Sequence, residues 1–293
     1  MKALGRIFTA MITPFDERGD VDVTEAVRIA KFLIERGNDG VVVAGTTGEV
    51  PALEIGEKLA LFGDIKAALG AGGTVIAGST GNNTRQSVEL TKEAEKTGVD
   101  AILATVPSYN KPTQDGLLKH FGAIAEATSL PIVLYNVPSR TASNMLPATV
   151  RELARRHANI VAVKESAGDA QQLSVLVRDA GPGFTVWSGD DYFYLPSLAI
   201  GAYGVVSVAG HICSREIRAM AEAYDAGQVA KAGAIHRDLT ALFSALFAVT
   251  SPIPVKWAMN QLGFKAGECR SPLGAMPPEL AATLGALIAP YRP

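Results

Sequence analysis

Ile160-Val161-Ala162-Val163-Lys164-Glu165-Ser166 is the segment on which the fold of this chain turns: four apolar residues run without a polar interruption into a lysine. An unbroken apolar run describes a strand whose two faces are both covered, as in a parallel sheet clad by helices. Outward from it, the same kind of run recurs at IFTAMIT (7–13), VVVAG (41–45), TVIAG (74–78), AILAT (101–105), PIVLY (131–135), FTVWS (184–188) and GVVSV (204–208), so that with IVAVK (160–164) eight strands are predicted. Between them, apolar residues at i, i+3 and i+4 mark amphipathic helices over 23–34, 53–68, 86–96, 116–127, 146–155 and 170–177. Asp22 and Thr84 stand where helix N-caps belong, and Gly37 and Gly98 stand just past helix ends, where a left-handed residue is wanted.

Strand and helix alternation with right-handed crossovers can close into a barrel or remain an open doubly wound sheet. Eight strands favour the barrel, and no GxGxxG follows the first strand as an open dinucleotide-binding sheet would require. The expectation is an α/β protein, a (β/α)8 TIM barrel over residues 1–225, closed by a helix at 214–224. Helical patterns at 229–247, 253–262 and 278–288 form a C-terminal helical extension over 226–293. A length of 293 residues suits one barrel of this class.

Composition narrows the function. Lys and Arg number 27 against 29 Asp and Glu, a net charge of −2, and there is no basic run, so the footprint of a nucleic-acid binder is missing. No apolar stretch reaches the ~20 residues of a membrane span, and Pro14 and Asp16 break the N-terminal one too early for a signal segment; the default address is cytoplasmic. Cys213 and Cys269 form no CxxC pair and read as reduced thiols. His120, His157, His211 and His236 show no HxH or HExxH spacing, so no metal is expected.

In such a barrel, chemistry sits where strands end at the C-terminal face. Alternation puts Lys164 on the side of Ile160 and Ala162, reaching up the axis. An amine desolvated there suits Schiff-base catalysis, which needs a neutral nitrogen to attack a ketone; a lone strand-end lysine is nonetheless more often solvated. Tyr135 ends the adjacent strand, where a phenol can shuttle protons or simply pack. Gly45-Thr46-Thr47-Gly48-Glu49 offers hydroxyls and backbone N–H groups as a nest for a carboxylate ahead of a helix near Leu53, or an ordinary connecting turn. Arg140, just past Tyr135, could receive a second carboxylate, though loop arginines are commonly solvated. Asp190 and Asp191 are minor candidates for substrate contact or for turn capping.

Eight segments together resemble the dihydrodipicolinate synthase (4-hydroxy-tetrahydrodipicolinate synthase) family of the N-acetylneuraminate lyase superfamily: TAMITPF (9–15), GTTGE (45–49), VPSYNKP (106–112), LYNVPSRT (134–141), VAVKES (161–166), SGDD (188–191), GVVSV (204–208) and SPIPVKW (251–257), in order and nearly end to end. The resemblance implies a Schiff-base lyase that condenses pyruvate with L-aspartate 4-semialdehyde to 4-hydroxy-tetrahydrodipicolinate, on the route to diaminopimelate and lysine, without an external cofactor. It implies that Lys164 forms the imine, that Tyr135, Thr46 and Tyr109 relay protons, with Tyr109 donated by a neighbouring subunit, and that Thr47, Val206 and Gly189 line the pyruvate site. Arg140 would take the aldehyde substrate's carboxylate, and the assembly would be a homotetramer, a dimer of dimers. Where lysine-inhibited members carry a histidine, an acidic residue and a second tyrosine, this chain has Ile55 or Lys58, Gln86 and Ser108, which implies weak or absent lysine feedback; Ala142 replaces the glycine often found after PSRT. The competing expectations are a 2-keto-3-deoxy sugar acid aldolase or N-acetylneuraminate lyase, which Arg140 disfavours, and a non-catalytic pyruvate-binding barrel, which retention of the lysine, tyrosines and threonine disfavours.

Overall fold

The computed structural model describes residues 4–292. Eight strands, β1 Ile7–Ala10, β2 Gly40–Val43, β3 Thr74–Gly78, β4 Ala101–Thr105, β5 Ile132–Asn136, β6 Ile160–Glu165, β7 Thr185–Ser188 and β8 Gly204–Ser207, pair in parallel in sequence order, and β8 returns to β1 to close the ring. This is the expected (β/α)8 barrel. The outer helices are α1 Val23–Glu35, α2 Ile55–Leu69, α3 Thr84–Lys96, α4 Gln114–Ala125, α5 Pro138–Thr141, α6 Pro147–Arg156, α7 Ala170–Asp179, α8 Tyr194–Ile200 and α9 Gly210–Asp225. Beyond them, α10 Val229–Ala245 packs on α9, and α11 Ile253–Gln261 and α12 Pro278–Ile288 complete the C-terminal helices. The short α5 and α8 carry too little periodicity to have been expected from pattern alone. Among the described residues, no helix is long and apolar enough to cross a membrane.

Strand alternation divides the apolar residues into two clusters. Phe8, Ala10, Val42, Ile76, Ala101, Leu103, Val133, Tyr135, Ala162, Trp187 and Val206 fill the barrel interior. Ile29, Leu33, Leu61, Phe62, Ile65, Leu117 and Phe121 belong to the larger shell between strands and helices. Phe8 and Trp187 lie with ring centroids 5.1 Å apart, and each buried aromatic contributes about 1.5–3 kcal/mol by leaving water. Crowding also decides how β2 starts: a Cβ on Gly40 would lie 2.2 Å from the Thr74 backbone oxygen and 2.5 Å from the Phe8 ring, so glycine stands there.

Caps follow local chemistry. Asp22 accepts the Glu25 N–H at 2.9 Å at the start of α1, while Gly37 (φ +100°) and Gly98 (φ +83°) take left-handed conformations just past α1 and α3. Two expectations need correction. The cap of α3 is Asn83, whose side chain accepts the Gln86 N–H, and Thr84 is the first helical residue; a hydroxyl one position late cannot reach the exposed N–H groups of the first turn. Ile160 does not share a face with Lys164. Ile132 registers with Ile160, but Val133 registers with Ala162, so Val161 is an extra residue in β6. This bulge sends Ile160 into the outer shell and packs Val161 against the interior cluster, while Ala162 and Lys164 keep the inward face.

Candidate active site

Lys164 and Tyr135 stand opposite each other in the β5–β6 register. Both are 5% exposed, and Lys164 Nζ lies 4.1 Å from the centroid of the Tyr135 ring. Their aim is set from behind by the alternate residues. Asn136 Nδ2 donates to both oxygens of Glu165 at 3.1 Å, Gln172 Nε2 of α7 donates to the same carboxylate at 3.0 Å, and Ala167 N donates at 2.7 Å. Asn136 Oδ1 accepts the Met145 N–H at 2.9 Å. Burial pushes the Glu165 carboxyl above its ordinary pKa, and these amide donors oppose the shift. With Asn136 and Glu165 locked between strands and helices, Tyr135 and Lys164 must face the axis.

The GTTGE turn closes β2 with Ala44 (φ +52°) and Glu49 (φ +57°) both left-handed. Glu49 N donates to Thr46 O at 3.1 Å and Val50 N to Gly45 O at 3.3 Å, curling the turn. Thr46 is half-buried and Thr47 buried, and among the described residues neither hydroxyl is committed to a protein partner. A 3-10 turn, Val50–Ala52, intervenes before α2 begins at Ile55, so the helix start expected directly behind the nest is displaced.

Glu49 extends this turn to the C-terminal helices. Its Oε1 accepts from Lys256 Nζ of α11 at 2.7 Å and its Oε2 from the Arg270 N–H at 2.8 Å, with both charged side chains of the pair 1% exposed. Lys256 Nζ also lies 3.8 Å from the Phe15 ring centroid. Burial lowers the Lys256 pKa and Glu49 counters it.

Val206 of β8 is buried in the interior cluster. Gly189, just beyond β7, lies against the lysine: a Cβ there would fall on Ser166 Oγ and 2.7 Å from Lys164 Cε. The acidic pair beside it turns to backbone. Asp191 accepts from Ser207 Oγ, from Val208 N at 2.9 Å and from Ala209 N at 2.8 Å, holding the end of β8; Asp190 Oδ1 accepts from Tyr192 N at 2.8 Å. His211 is buried and neutral at pH 7, its Nε2 accepting from the Ile12 N–H at 3.1 Å; burial lowers its pKa to about 4.

Two expected residues stand apart from this cluster within one chain. Tyr109 is 90% exposed, on a left-handed backbone with φ +71°. Arg140 in α5 is exposed, and its Nη2 donates to Ser251 O at 3.3 Å, tying the loop to the start of the SPIPVKW segment. Ala142 adopts φ +55°, the conformation a glycine there would take without strain. The sequence reading missed Asn136, Glu165 and the Glu49–Lys256 pair as organisers of the site. The available signal was a lysine and a glutamate embedded in otherwise apolar segments.

With this geometry in hand, the dihydrodipicolinate synthetase family model matches residues 3–290. A 4-hydroxy-tetrahydrodipicolinate synthase of Dehalococcoides mccartyi is 51% identical over 273 residues, 93% of this chain and 92% of its own length. A dihydrodipicolinate synthase structure from Bacillus anthracis superposes with a TM-score of 0.96 at 41% identity, covering 98% of both chains. The Cyanidioschyzon merolae enzyme, crystallised with lysine bound, superposes with a TM-score of 0.96 at 42% identity over 97% of both chains.

Proposed function

Because the chain belongs to the dihydrodipicolinate synthetase family, we propose that its barrel-top residues divide among themselves the steps of that family's reaction, the condensation of pyruvate with L-aspartate 4-semialdehyde to 4-hydroxy-tetrahydrodipicolinate. Lys164 Nζ attacks C2 of pyruvate, the carbinolamine loses water, and the imine loses a C3 proton to give an enamine. The enamine carbon attacks the aldehyde of the second substrate. That substrate's own amine then displaces Lys164 from C2, closing the ring and regenerating the lysine. Overall one water is lost, and no external cofactor is required because the lysine nitrogen serves as the electron sink.

Tyr135, Thr46 and Tyr109 move the protons, Thr47 and the backbone of its turn hold the pyruvate carboxylate, Val206 packs the methyl side, and Gly189 leaves room beside the lysine arm. Arg140 receives the second carboxylate in bidentate fashion. Tyr109 serves a neighbouring subunit's site in a homotetramer built as a dimer of dimers, which accounts for an exposed aromatic on strained backbone. The setting is the cytoplasm. Residues 226–293 act as an appendage to the barrel at 1–225 that supplies Ser251 to the Arg140 loop and Lys256 to the threonine turn.

The observation that carries the assignment is the lysine nitrogen resting over the Tyr135 ring inside a closed barrel. Borohydride reduction in the presence of pyruvate is expected to place a reduced three-carbon adduct on the Lys164 peptide, read by mass spectrometry, and none on a Lys164→Ala variant. Condensation of pyruvate with aspartate semialdehyde is then expected to outpace cleavage of 2-keto-3-deoxy sugar acids and N-acetylneuraminate. A preference for cleavage would overturn the substrate assignment, and an adduct elsewhere than Lys164 would overturn the lysine.

A further inference from the structure

Ser166 follows Glu165 past the end of β6, and alternation returns its side chain to the inward side used by Ala162 and Lys164. Its position is pinned from both neighbouring strands: Ser166 N donates to Asn136 O, and Gly189 N to Glu165 O, each at 2.9 Å. The Oγ atom is buried and has no hydrogen-bond partner among the described residues. Other buried serines of the barrel are satisfied: Ser188 Oγ donates to Asp190 O at 2.8 Å, Ser197 Oγ to Tyr194 O at 2.6 Å and Ser214 Oγ to Arg36 O at 2.9 Å. A buried hydroxyl without a partner is disfavoured, and folded chains keep few of them.

This hydroxyl packs beside the lysine arm. A Cβ at Gly189 would fall 1.9 Å from Ser166 Oγ and 2.7 Å from Lys164 Cε, so the serine oxygen and the lysine arm pack side by side against the same glycine. A hydroxyl in that position can reach an atom bonded to the carbon that Lys164 captures. Thr46 and Thr47 follow the end of β2 and Tyr135 lies in β5, whereas Ser166 stands on the β6–β7 side of the lysine.

We propose that Ser166 is a further catalytic residue, whose Oγ–H donates a hydrogen bond to the carbinolamine oxygen of the keto acid bound to Lys164. The inference rests on the Lys164 assignment above. As the carbinolamine collapses, the nitrogen lone pair forms the C=N bond and the C–O bond breaks, its electron pair leaving on oxygen. The proton that completes the departing water comes from Tyr135, while Ser166 keeps its own proton and steadies the charge on oxygen.

Rapid mixing with pyruvate followed by timed borohydride quench gives the rate of adduct formation on Lys164, compared across the parent, Ser166→Ala and Ser166→Thr. The alanine variant is expected to form the adduct about tenfold more slowly, to the same final yield. Its thermal midpoint without pyruvate is expected to be equal to or above that of the parent, because a buried unpartnered hydroxyl has been removed. Threonine is expected to restore most of the rate. An alanine variant as fast as the parent, or a slow variant that threonine does not rescue, overturns the proposal and leaves Lys164 standing. A parent that yields no adduct removes the Lys164 assignment, and this inference with it.

Discussion

Among the described residues, two buried lysines lie over aromatic rings, and their surroundings differ. Lys256 is 1% exposed, 3.8 Å from the Phe15 centroid, and bonded to the Glu49 carboxylate at 2.7 Å. Lys164 is 5% exposed, 4.1 Å from the Tyr135 centroid, and among the described residues it has no carboxylate within ion-pair distance. The difference lies in what surrounds each nitrogen. The Glu49 carboxylate at hydrogen-bond distance ties the Lys256 nitrogen to a fixed partner, whereas among the described residues the Lys164 nitrogen is committed to no carboxylate. The acidic residue next to Lys164 in sequence, Glu165, could have paired with it, but alternation turns that carboxylate outward to Asn136 and Gln172. Burial alone therefore does not distinguish the two lysines; the presence or absence of a counter-charge does.

The largest expected effect tests the contrast directly. Lys164→Met is expected to lower kcat/KM by at least about a thousandfold, with a urea midpoint near that of the parent, because no ion pair is lost. Lys256→Met is expected to leave borohydride trapping on Lys164 intact. Equal losses of activity and stability in the two variants would erase the distinction.

Next in size is the pair itself. Glu49→Gln leaves the Lys256 ammonium buried without its counter-charge, and urea unfolding is expected to show a loss of ~3–5 kcal/mol. Replacing both partners by apolar residues of similar volume, Glu49→Leu with Lys256→Met, is expected to recover most of that stability. Because Glu49 ends the turn that carries Thr46 and Thr47, both variants are also expected to raise KM for pyruvate.

The smallest effect concerns a third buried base that stays neutral. The folded-state pKa of His211, lowered by burial to about 4, lies below the ordinary value of 6.5. The unfolded chain therefore binds the proton first, so His211 contributes stability that is fully present above about 6.5 and lost as pH falls toward 4. That contribution is at most about 3 kcal/mol. His120, likewise lowered to about 4 by burial, acts in the same direction. The buried carboxyls of Glu165 and Asp191, both raised, act in the opposite one and gain as pH falls. His211→Gln keeps a donor and an acceptor for Val208 O and Ile12 N, so its unfolding free energy is expected to fall less steeply than that of the parent between pH 6.5 and 4.

Much of this architecture could be read along the chain, since it follows from short-range pattern. Apolar runs closed by polar residues located all eight strands, and helical periods located seven of the outer helices. The lysine, the β5 tyrosine and the threonine turn were legible for the same reason: each ends a strand, and strand ends converge in a barrel. The side on which Ile160 falls was not legible, because one extra residue at Val161 reverses alternation and bulges leave no periodic mark.

By itself, then, the sequence determined the strand count, the parallel class and which residues terminate strands, because those depend on local periodicity. Only the tertiary structure decided which partners met. Glu49 and Lys256 are 207 residues apart, and Ser166 shares its space with Gly189 only because β6 and β7 pair in one register. Long-range register and burial arise when the ring closes, and they determine which buried polar atom is satisfied, which charge is neutralised and which nitrogen is left available.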